Sequence, residues 1–202
     1  MRLSSAGTFS ILSILSNHEK MGVATATGVE SVGDRVPHAK PGVGVVATQA
    51  YTNVTYGIKG LEMLAMGLTP KEALEKLLAE DAENELRQVA IMNFRGEKAV
   101  FTGAKAPQWH GEIIGEDYVV IGNLLTGKEV LASMARKFEH SSGSLAWRMA
   151  NALKAGSESG GDRRGEISAA LIVVSAKKVE VNLRVDFHKN PIEELLRKLE
   201  TL

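Results

Sequence analysis

The residues that decide the fold lie near the start of the sequence, where Thr8–Leu15 reads TFSILSIL and Met21–Gly28 reads MGVATATG. Both runs are apolar and partly β-branched, and the polar step Asn17–Lys20 separates them, so they predict a β-hairpin. In the second run every other residue is glycine or alanine, and alternate residues of a strand point to the same face. We therefore expect one face of this hairpin to pack closely against another layer.

Beyond the hairpin, the signals for strands and helices come in groups. One helix start is marked by the capping pattern Thr69, Pro70 and Glu72. The predicted strands are Val43–Ala50, Leu86–Phe94, Lys98–Gly103, Tyr118–Ile121, Ile167–Val174 and Val179–Val185. The predicted helices are Ile58–Met66, one that opens at Thr69, one after Thr126 with a second capping pattern, one that carries Leu145 to Leu153, and one that opens at Asn190.

This grouping of elements predicts the fold class. Strands that follow one another in hairpins favour antiparallel sheets, and paired helices between them favour covering layers over single crossovers. We predict an α+β fold, a four-layer αββα sandwich with two mainly antiparallel sheets between helical layers, formed by one domain over residues 1–202. A ferredoxin-like layer needs fewer elements, and a doubly wound sheet needs strict alternation of strand and helix.

The composition excludes several classes of function. The 202 residues are 44% hydrophobic, which is enough for a substantial core. Lysine and arginine number 24 and so do aspartate and glutamate, so no net charge attracts nucleic acid or an anionic membrane, and we expect a small-molecule substrate or ligand. With no cysteine the chain has no disulfide, thiolate nucleophile or Cys-ligated zinc.

Location, assembly and cofactor use are also predicted from the sequence. No apolar run approaches the ~20 residues of a membrane helix, and Met1–Gly7 lacks the apolar core of a secretory signal. We expect a soluble cytoplasmic protein that forms a homodimer, because such sandwiches can stack through their outer helices. The five histidines are widely separated without metal-ligand spacing, so we predict no metal and no cofactor: His18, His38, His110, His140 and His188.

Gly7–Thr8 is the first candidate for chemistry. A threonine at the start of a core strand becomes a nucleophile if the preceding bond is broken, because its freed α-amine can act as the general base. The alternative is that Thr8 is only a β-favouring residue that opens a strand. Lys40 follows after a hairpin and a loop, from which the chain can return beside the first strand. A buried lysine there would lower the effective pKa of the hydroxyl, and the alternative is that Lys40 is only a solvated loop cation.

Two further loops carry candidate binding residues. Gly160–Gly165 reads GGDRRG, in which Arg163 and Arg164 suit a carboxylate and Asp162 can orient it or an amine, unless the loop is only a mobile polar connection. Asn123 ends an apolar strand, where a side-chain amide can face a cleft or serve as a turn residue.

Six segments of the chain, in order and nearly end to end, resemble the bacterial and archaeal domain-of-unknown-function family number 1028. The resemblance spans about Thr8 to Leu199, and GGDRRG with SAAL and RVD is its most specific signature. The family is grouped with the N-terminal nucleophile hydrolases, whose αββα sandwich agrees with the predicted order of elements. The segments are TFSIL, VGVVATQAYTNVTYG, FTGA, GNLL, AGSESGGDRRGEISAAL and LRVDFHKNPIEEL.

The resemblance implies roles for particular residues. In such hydrolases a residue at the start of the first strand attacks an amide carbonyl, often after self-cleavage, and Gly7–Thr8 matches this pattern. The number of residues between Thr8 and Lys40 is similar to that between the nucleophile and the lysine in proteasome-type members. The resemblance also implies that Asp162 and Ser168 support the nucleophile and that backbone donors near Thr48 and Gln49 form an oxyanion hole.

The sequence therefore supports two main hypotheses of function. The first is an amide-bond hydrolase, in which Thr8 attacks and Lys40, Asp162 and Ser168 assist it. Its substrate would be held by residues from three parts of the chain: Thr48, Gln49, Asn123, Arg163 and Arg164. The second is a non-catalytic ligand-binding or regulatory protein on the same fold, with an uncut N-terminus. A third possibility is that the chain is mainly an assembly unit.

Overall fold

The computed structural model describes residues 7–15 and 17–202, and its strands and helices come in alternating groups. The strands are β1 Thr8–Ile14, β2 Lys20–Thr27, β3 Pro37–Lys40, β4 Gly44–Ala50, β5 Arg87–Asn93, β6 Lys98–Thr102, β7 Gly111–Ile114, β8 Tyr118–Asn123, β9 Ser168–Ser175 and β10 Val179–Val185. The helices are α1 Thr55–Ala65, α2 Pro70–Glu80, α3 Glu129–Glu139, α4 Leu145–Glu158 and α5 Pro191–Glu200. The predicted order of groups is thus confirmed.

The strands form two antiparallel sheets, so the fold is α+β as predicted. One sheet has six strands in the order β10-β9-β2-β1-β8-β7, and the other has four in the order β3-β4-β5-β6. The predicted hairpin is β1–β2, with Thr8 opposite Thr27 and Ile14 opposite Met21. It lies at the centre of the larger sheet, so each of its two strands has a hydrogen-bonded neighbour on both sides.

Three apolar cores follow from the alternation of side chains along these strands. Phe9 and Ile11 of β1 pack with α3, α4 and α5, whereas Leu12 and Ile14 pack with residues of β4 and β5 in a core between the sheets. The outer face of the smaller sheet packs against α1 and α2. The small face of β2 meets α4 as expected, because Ala24 and Ala26 share a core with Met149.

Some local predictions differ from the structure. The capping box at Thr69 and Glu72 is present at the start of α2. At α3 the residue before the first turn is Lys128, and no side chain caps the helix, so the pattern predicted from Thr126 is wrong. The strand β7 was not predicted, because Gly111–Ile114 is short and half exposed. Within the described residues no helix is long and apolar enough to cross a bilayer.

A buried ion pair joins the end of α2 to the start of β5. Arg87 donates from Nε to Asp81 Oδ2 at 2.8 Å and from Nη1 to the Tyr51 carbonyl oxygen at 2.7 Å. The Arg87 hydrogen bond lowers the pKa of Asp81 to about 2. Since only 12% of the Asp81 side chain is exposed, this shift represents about 2 kcal/mol of stability.

We predict that this stability is lost in acid. A carboxyl whose folded-state pKa is depressed stabilises the fold above its unfolded pKa, near 4, and the contribution disappears as the pH falls towards 2. Urea denaturation should therefore find the unaltered chain about 2 kcal/mol more stable than Asp81→Asn at pH 5, with a smaller difference at pH 2.5. A difference that stays constant between these pH values would contradict the assignment.

Candidate functional site

A row of polar side chains crosses four neighbouring strands at one end of the larger sheet. Thr8 opens β1 and lies opposite Asn123 of β8 on one side and Thr27 of β2 on the other, and Thr27 lies opposite Ser168 of β9. Opposed residues of antiparallel strands point to the same face. That face is the one that Leu12 presents to the core between the sheets. All four polar residues are at most 2% exposed, so the row is enclosed.

The peptide bond between Gly7 and Thr8 lies within this row. Thr8 Oγ1 donates a hydrogen bond to Thr27 Oγ1 at 3.1 Å, and Thr27 Oγ1 donates to the carbonyl oxygen of Gly7. Arg164 Nη2 donates to the same carbonyl oxygen at 3.2 Å. A carbonyl that receives a hydroxyl and a guanidinium donor is polarised, and negative charge developing on its oxygen is stabilised. Of the segment predicted to be removed with Gly7, residues 1–6 lie outside the described residues.

The GGDRRG loop holds Arg164 in this position through Asp162. The buried Asp162 carboxylate accepts from Arg164 Nη2 at 2.6 Å, from Arg164 Nε at 3.0 Å and from the Arg164 backbone N–H at 3.0 Å. It also accepts from the Gly28 N–H at 2.7 Å. The loop turns back at Gly160 and Gly165, whose φ values of 111° and 78° favour glycine. Asp162 therefore orients the guanidinium that contacts Gly7.

A cluster of amide side chains from both sheets lies beside Thr8. Gln49 Nε2 donates to the Thr8 carbonyl oxygen at 3.2 Å and to Gln88 Oε1 at 2.8 Å. Asn123 Nδ2 donates to the same Gln88 oxygen at 3.1 Å. Gln88 Nε2 in turn donates to Thr102 Oγ1 and to the carbonyl oxygens of Gly111 and Gly122. Gln88 thereby connects the two sheets directly beside the row.

We predict that Gln88→Leu destabilises the fold by about 3 kcal/mol, because each buried polar group left without its partner costs about 1–3 kcal/mol. For a chain of this length that corresponds to a fall in Tm of about 10 °C. Thr102→Val is the comparison, since it removes only one partner of Gln88 and should cost about 1 kcal/mol. Thermal unfolding that ranks the two variants equally would contradict the role of Gln88.

The structure brings together most of the residues predicted from the sequence. Thr8, Asn123, Asp162, Arg164 and Gln49 all meet at the Gly7–Thr8 peptide or beside it, as described above. Ser168 belongs to the same row, but its hydroxyl donates to the Val29 carbonyl oxygen at 2.5 Å and accepts from the Val32 N–H at 3.2 Å. It therefore fixes the loop after β2 and does not contact Thr8.

Two of the predicted binding residues have structural partners away from Gly7. The Thr48 hydroxyl donates to the Asn53 carbonyl oxygen at 3.1 Å, and its N–H donates to the Val36 carbonyl oxygen at 3.1 Å, so this N–H is not an oxyanion donor. Arg163 is exposed, and its Nε donates to the Leu125 carbonyl oxygen at 2.8 Å. Both residues stabilise loops near the site.

The structure does not bring Lys40 to Thr8, and this corrects the sequence-based expectation of a buried lysine there. Lys40 is exposed at the end of β3, and two residues later the Gly42 N–H donates to the Ser175 carbonyl oxygen. Ser175 and Ser168 are the two ends of β9, seven residue steps and therefore about 23 Å apart. The register thus puts Lys40 at the end of the sheets opposite the row. The positively charged group beside Gly7 is the guanidinium of Arg164, not a lysine.

Three features of the site were not predicted. They are Thr27, Gln88 and the contact between Arg164 and the Gly7 carbonyl oxygen. Thr27 could have been found from its position at the end of the second strand of the hairpin, because a tight hairpin brings it opposite Thr8. Gln88 carries no such signal. Among residues 7–15 and 17–202, no group of three or more His, Asp or Glu side chains is arranged to hold a metal ion.

Comparison with known proteins identifies the family. The chain resembles the crystal structure of protein SPO2555 from Silicibacter pomeroyi, a DUF1028 protein, with 31% identity and a TM-score of 0.90 over 96% of this chain and 85% of that one. Anbu (ancestral beta-subunit) from Yersinia bercovieri is a distant match, with 10% identity and a TM-score of 0.47 over 96% of this chain and 93% of that one. No curated protein matches the chain. The model of the family of unknown function DUF1028 matches residues 8–195, and the chain belongs to that family.

Proposed function

We propose that this protein is an amide-bond hydrolase of the N-terminal nucleophile type, in which cleavage of the Gly7–Thr8 bond exposes Thr8. The observation that carries the proposal is the pair of donors on the Gly7 carbonyl oxygen, Thr27 Oγ1 and Arg164 Nη2, with the Thr8 hydroxyl bonded to Thr27. The packing of helices on the outer faces of both sheets also supports the αββα sandwich of these hydrolases.

The first step is attack of Thr8 Oγ1 on the Gly7 carbonyl carbon. The hydroxyl proton passes to Thr27 Oγ1, and the Thr27 proton passes to the Gly7 oxygen, along the two hydrogen bonds that already exist. Arg164 stabilises the charge that develops on that oxygen. The Gly7 oxygen then gives up its proton as the carbonyl re-forms, and the Gly7–Thr8 C–N bond breaks as the nitrogen gains a proton and becomes the free Thr8 amine. Water hydrolyses the resulting ester, which releases residues 1–7 as an acid and restores the Thr8 hydroxyl.

The same groups then serve an external amide. The free α-amine of Thr8, whose ordinary pKa is about 7.7–8.0, takes the hydroxyl proton as general base. Thr8 Oγ1 bonds to the substrate carbonyl carbon, the amine product leaves with a proton, and water cleaves the ester. With Gly7 removed, Thr27 and Arg164 donate to the substrate carbonyl oxygen, while Asp162 holds Arg164 in position.

The test is the intact mass of the purified chain during incubation at pH 8 and 37 °C. We expect the mass to fall by that of residues 1–7, with Thr8 as the new first residue by N-terminal sequencing. Protease inhibitors should leave the rate unchanged, and so should dilution, because the reaction is intramolecular. A mass that stays constant over days would contradict the proposal.

One observation favours a second candidate function. Lys40, the cation expected beside the nucleophile, is at the other end of the sheets, which fits a chain that keeps Gly7 in place. In that case the protein binds a small anionic ligand at the Asp162–Arg164 loop without turnover. Ligand-induced thermal stabilisation of an uncut chain, lost in Arg164→Ala, would favour this candidate over the hydrolase.

A further inference from the structure

The space around the Gly7 α-carbon suggests what the site accepts on the acyl side of the bond it cleaves. A methyl group built on Gly7 in the L configuration would lie 2.6 Å from Asp162 Cγ and Oδ1 and 2.7 Å from Oδ2. Apolar carbon atoms in proteins normally approach no closer than about 3.5 Å. The Asp162 carboxylate therefore occupies the space that the β-carbon of an L-residue at this position would need.

Asp162 has no room to move away from such a group. Its side chain is fully buried, and its oxygens accept hydrogen bonds from the Gly28 N–H and from the side chain and backbone of Arg164. Gly28 lies equally close, because a methyl group there would lie 2.8 Å from Asp162 Oδ2 and 2.6 Å from the Gly165 carbonyl oxygen. Moving the carboxylate would release Arg164 from the carbonyl that it polarises.

We infer that Asp162 determines the specificity of the site by selecting a glycyl group on the acyl side of the scissile amide and rejecting L-residues with a β-carbon. This inference rests on the proposed function, since it assumes that the substrate carbonyl takes the position of the Gly7 carbonyl. The substrates are then N-acylglycyl amides, which include peptides cleaved after glycine. The products are an amine and an acid that ends in glycine, with one water consumed.

The first test compares self-cleavage of Gly7→Ala with that of the unaltered chain by intact mass. We expect cleavage to slow about tenfold or more, in line with the cost of misfitting one methyl group in a tight site. Gly127→Ala is the matched control, because a methyl group at Gly127 meets no atom within 4 Å. Equal rates for the unaltered chain and Gly7→Ala would overturn the inference and leave the proposed function intact.

The second test uses the self-cleaved protein with two fluorogenic substrates, the aminocoumarin amides of acetylglycine and acetyl-L-alanine. We expect kcat/KM to favour the glycyl amide about tenfold or more, and we expect this ratio to fall towards one in Asp162→Ala even though both rates decrease. A ratio near one in the unaltered protein would overturn the inference. An unaltered chain that neither loses residues 1–7 nor hydrolyses either amide would instead contradict the proposed function itself.

Discussion

Thr8→Ala is expected to retain residues 1–7 throughout an incubation in which the unaltered chain loses them. The substitution removes the only atom that we assign as nucleophile, so the rate of self-cleavage should fall at least about 10³-fold. Thr8→Ser keeps a hydroxyl at the same position and should still be cleaved. Intact mass measures all three chains, and the retained segment should be visible as the uncut mass.

A second hydroxyl on the same face provides the control for this result. Thr25 is two residues from Thr27 along β2, and its hydroxyl accepts from Ser10 Oγ and donates to the Phe9 carbonyl oxygen, not to the Gly7–Thr8 peptide. Thr25→Val therefore also removes a buried hydroxyl from the sheet while leaving the contacts of Thr8, Thr27 and Arg164 in place, and it should be cleaved like the unaltered chain. Cleavage of Thr8→Ala at the original rate would show that another nucleophile breaks the bond.

Arg164→Ala is expected to slow self-cleavage by about 10²–10³-fold, which is the usual effect of removing one donor from a developing oxyanion. Arg164→Lys should recover only part of the rate. A lysine has a single ammonium group, whereas the guanidinium contacts both Asp162 oxygens and the Gly7 oxygen together.

A substitution at the neighbouring Arg163 distinguishes an effect on catalysis from an effect on the stability of the loop. Arg163→Ala removes a guanidinium of equal charge whose Nε donates to the Leu125 carbonyl oxygen, and it should change the rate by about threefold or less. Because Arg164→Ala also leaves the buried Asp162 carboxylate without its main partner, rates should be compared below the Tm of each variant. Equal loss of rate in the two variants would indicate that the loop acts only through its structure.

Much of the fold could be predicted because its signals are local. The alternation in β1 and β2 and the capping box at Thr69 are each contained within a few residues, and both predictions are confirmed. The strand β7 was missed because an edge strand of four half-exposed residues has no distinct pattern of burial. At α3, residues of the capping type occur at the expected spacing, but the helix begins two residues later than that pattern requires.

The site was predictable only where one segment carries its own chemistry. Thr8 and the Asp162–Arg164 loop are recognisable from short stretches, and the structure brings them together. The number of residues between Thr8 and Lys40 does not predict the distance between their side chains. That distance depends on the stacking and register of the two sheets, which decide at which end of the sheets Lys40 lies. Gln88 resembles any polar strand residue until the two sheets are packed face to face.

The pairing of β1 with β2 makes the reacting hydroxyls depend on residues far from them. Side chains alternate along a strand, so a slip of one residue in the hairpin would turn Thr27 towards the helices and leave Ala26 or Gly28 opposite Thr8. Ile14 and Met21 pair about 20 Å from Thr8, at the other end of the hairpin. Their packing opposes such a slip, because the slip would turn these side chains out of the core between the sheets. Substitutions at that distant end that shift the register would therefore abolish self-cleavage without contacting any group that takes part in it.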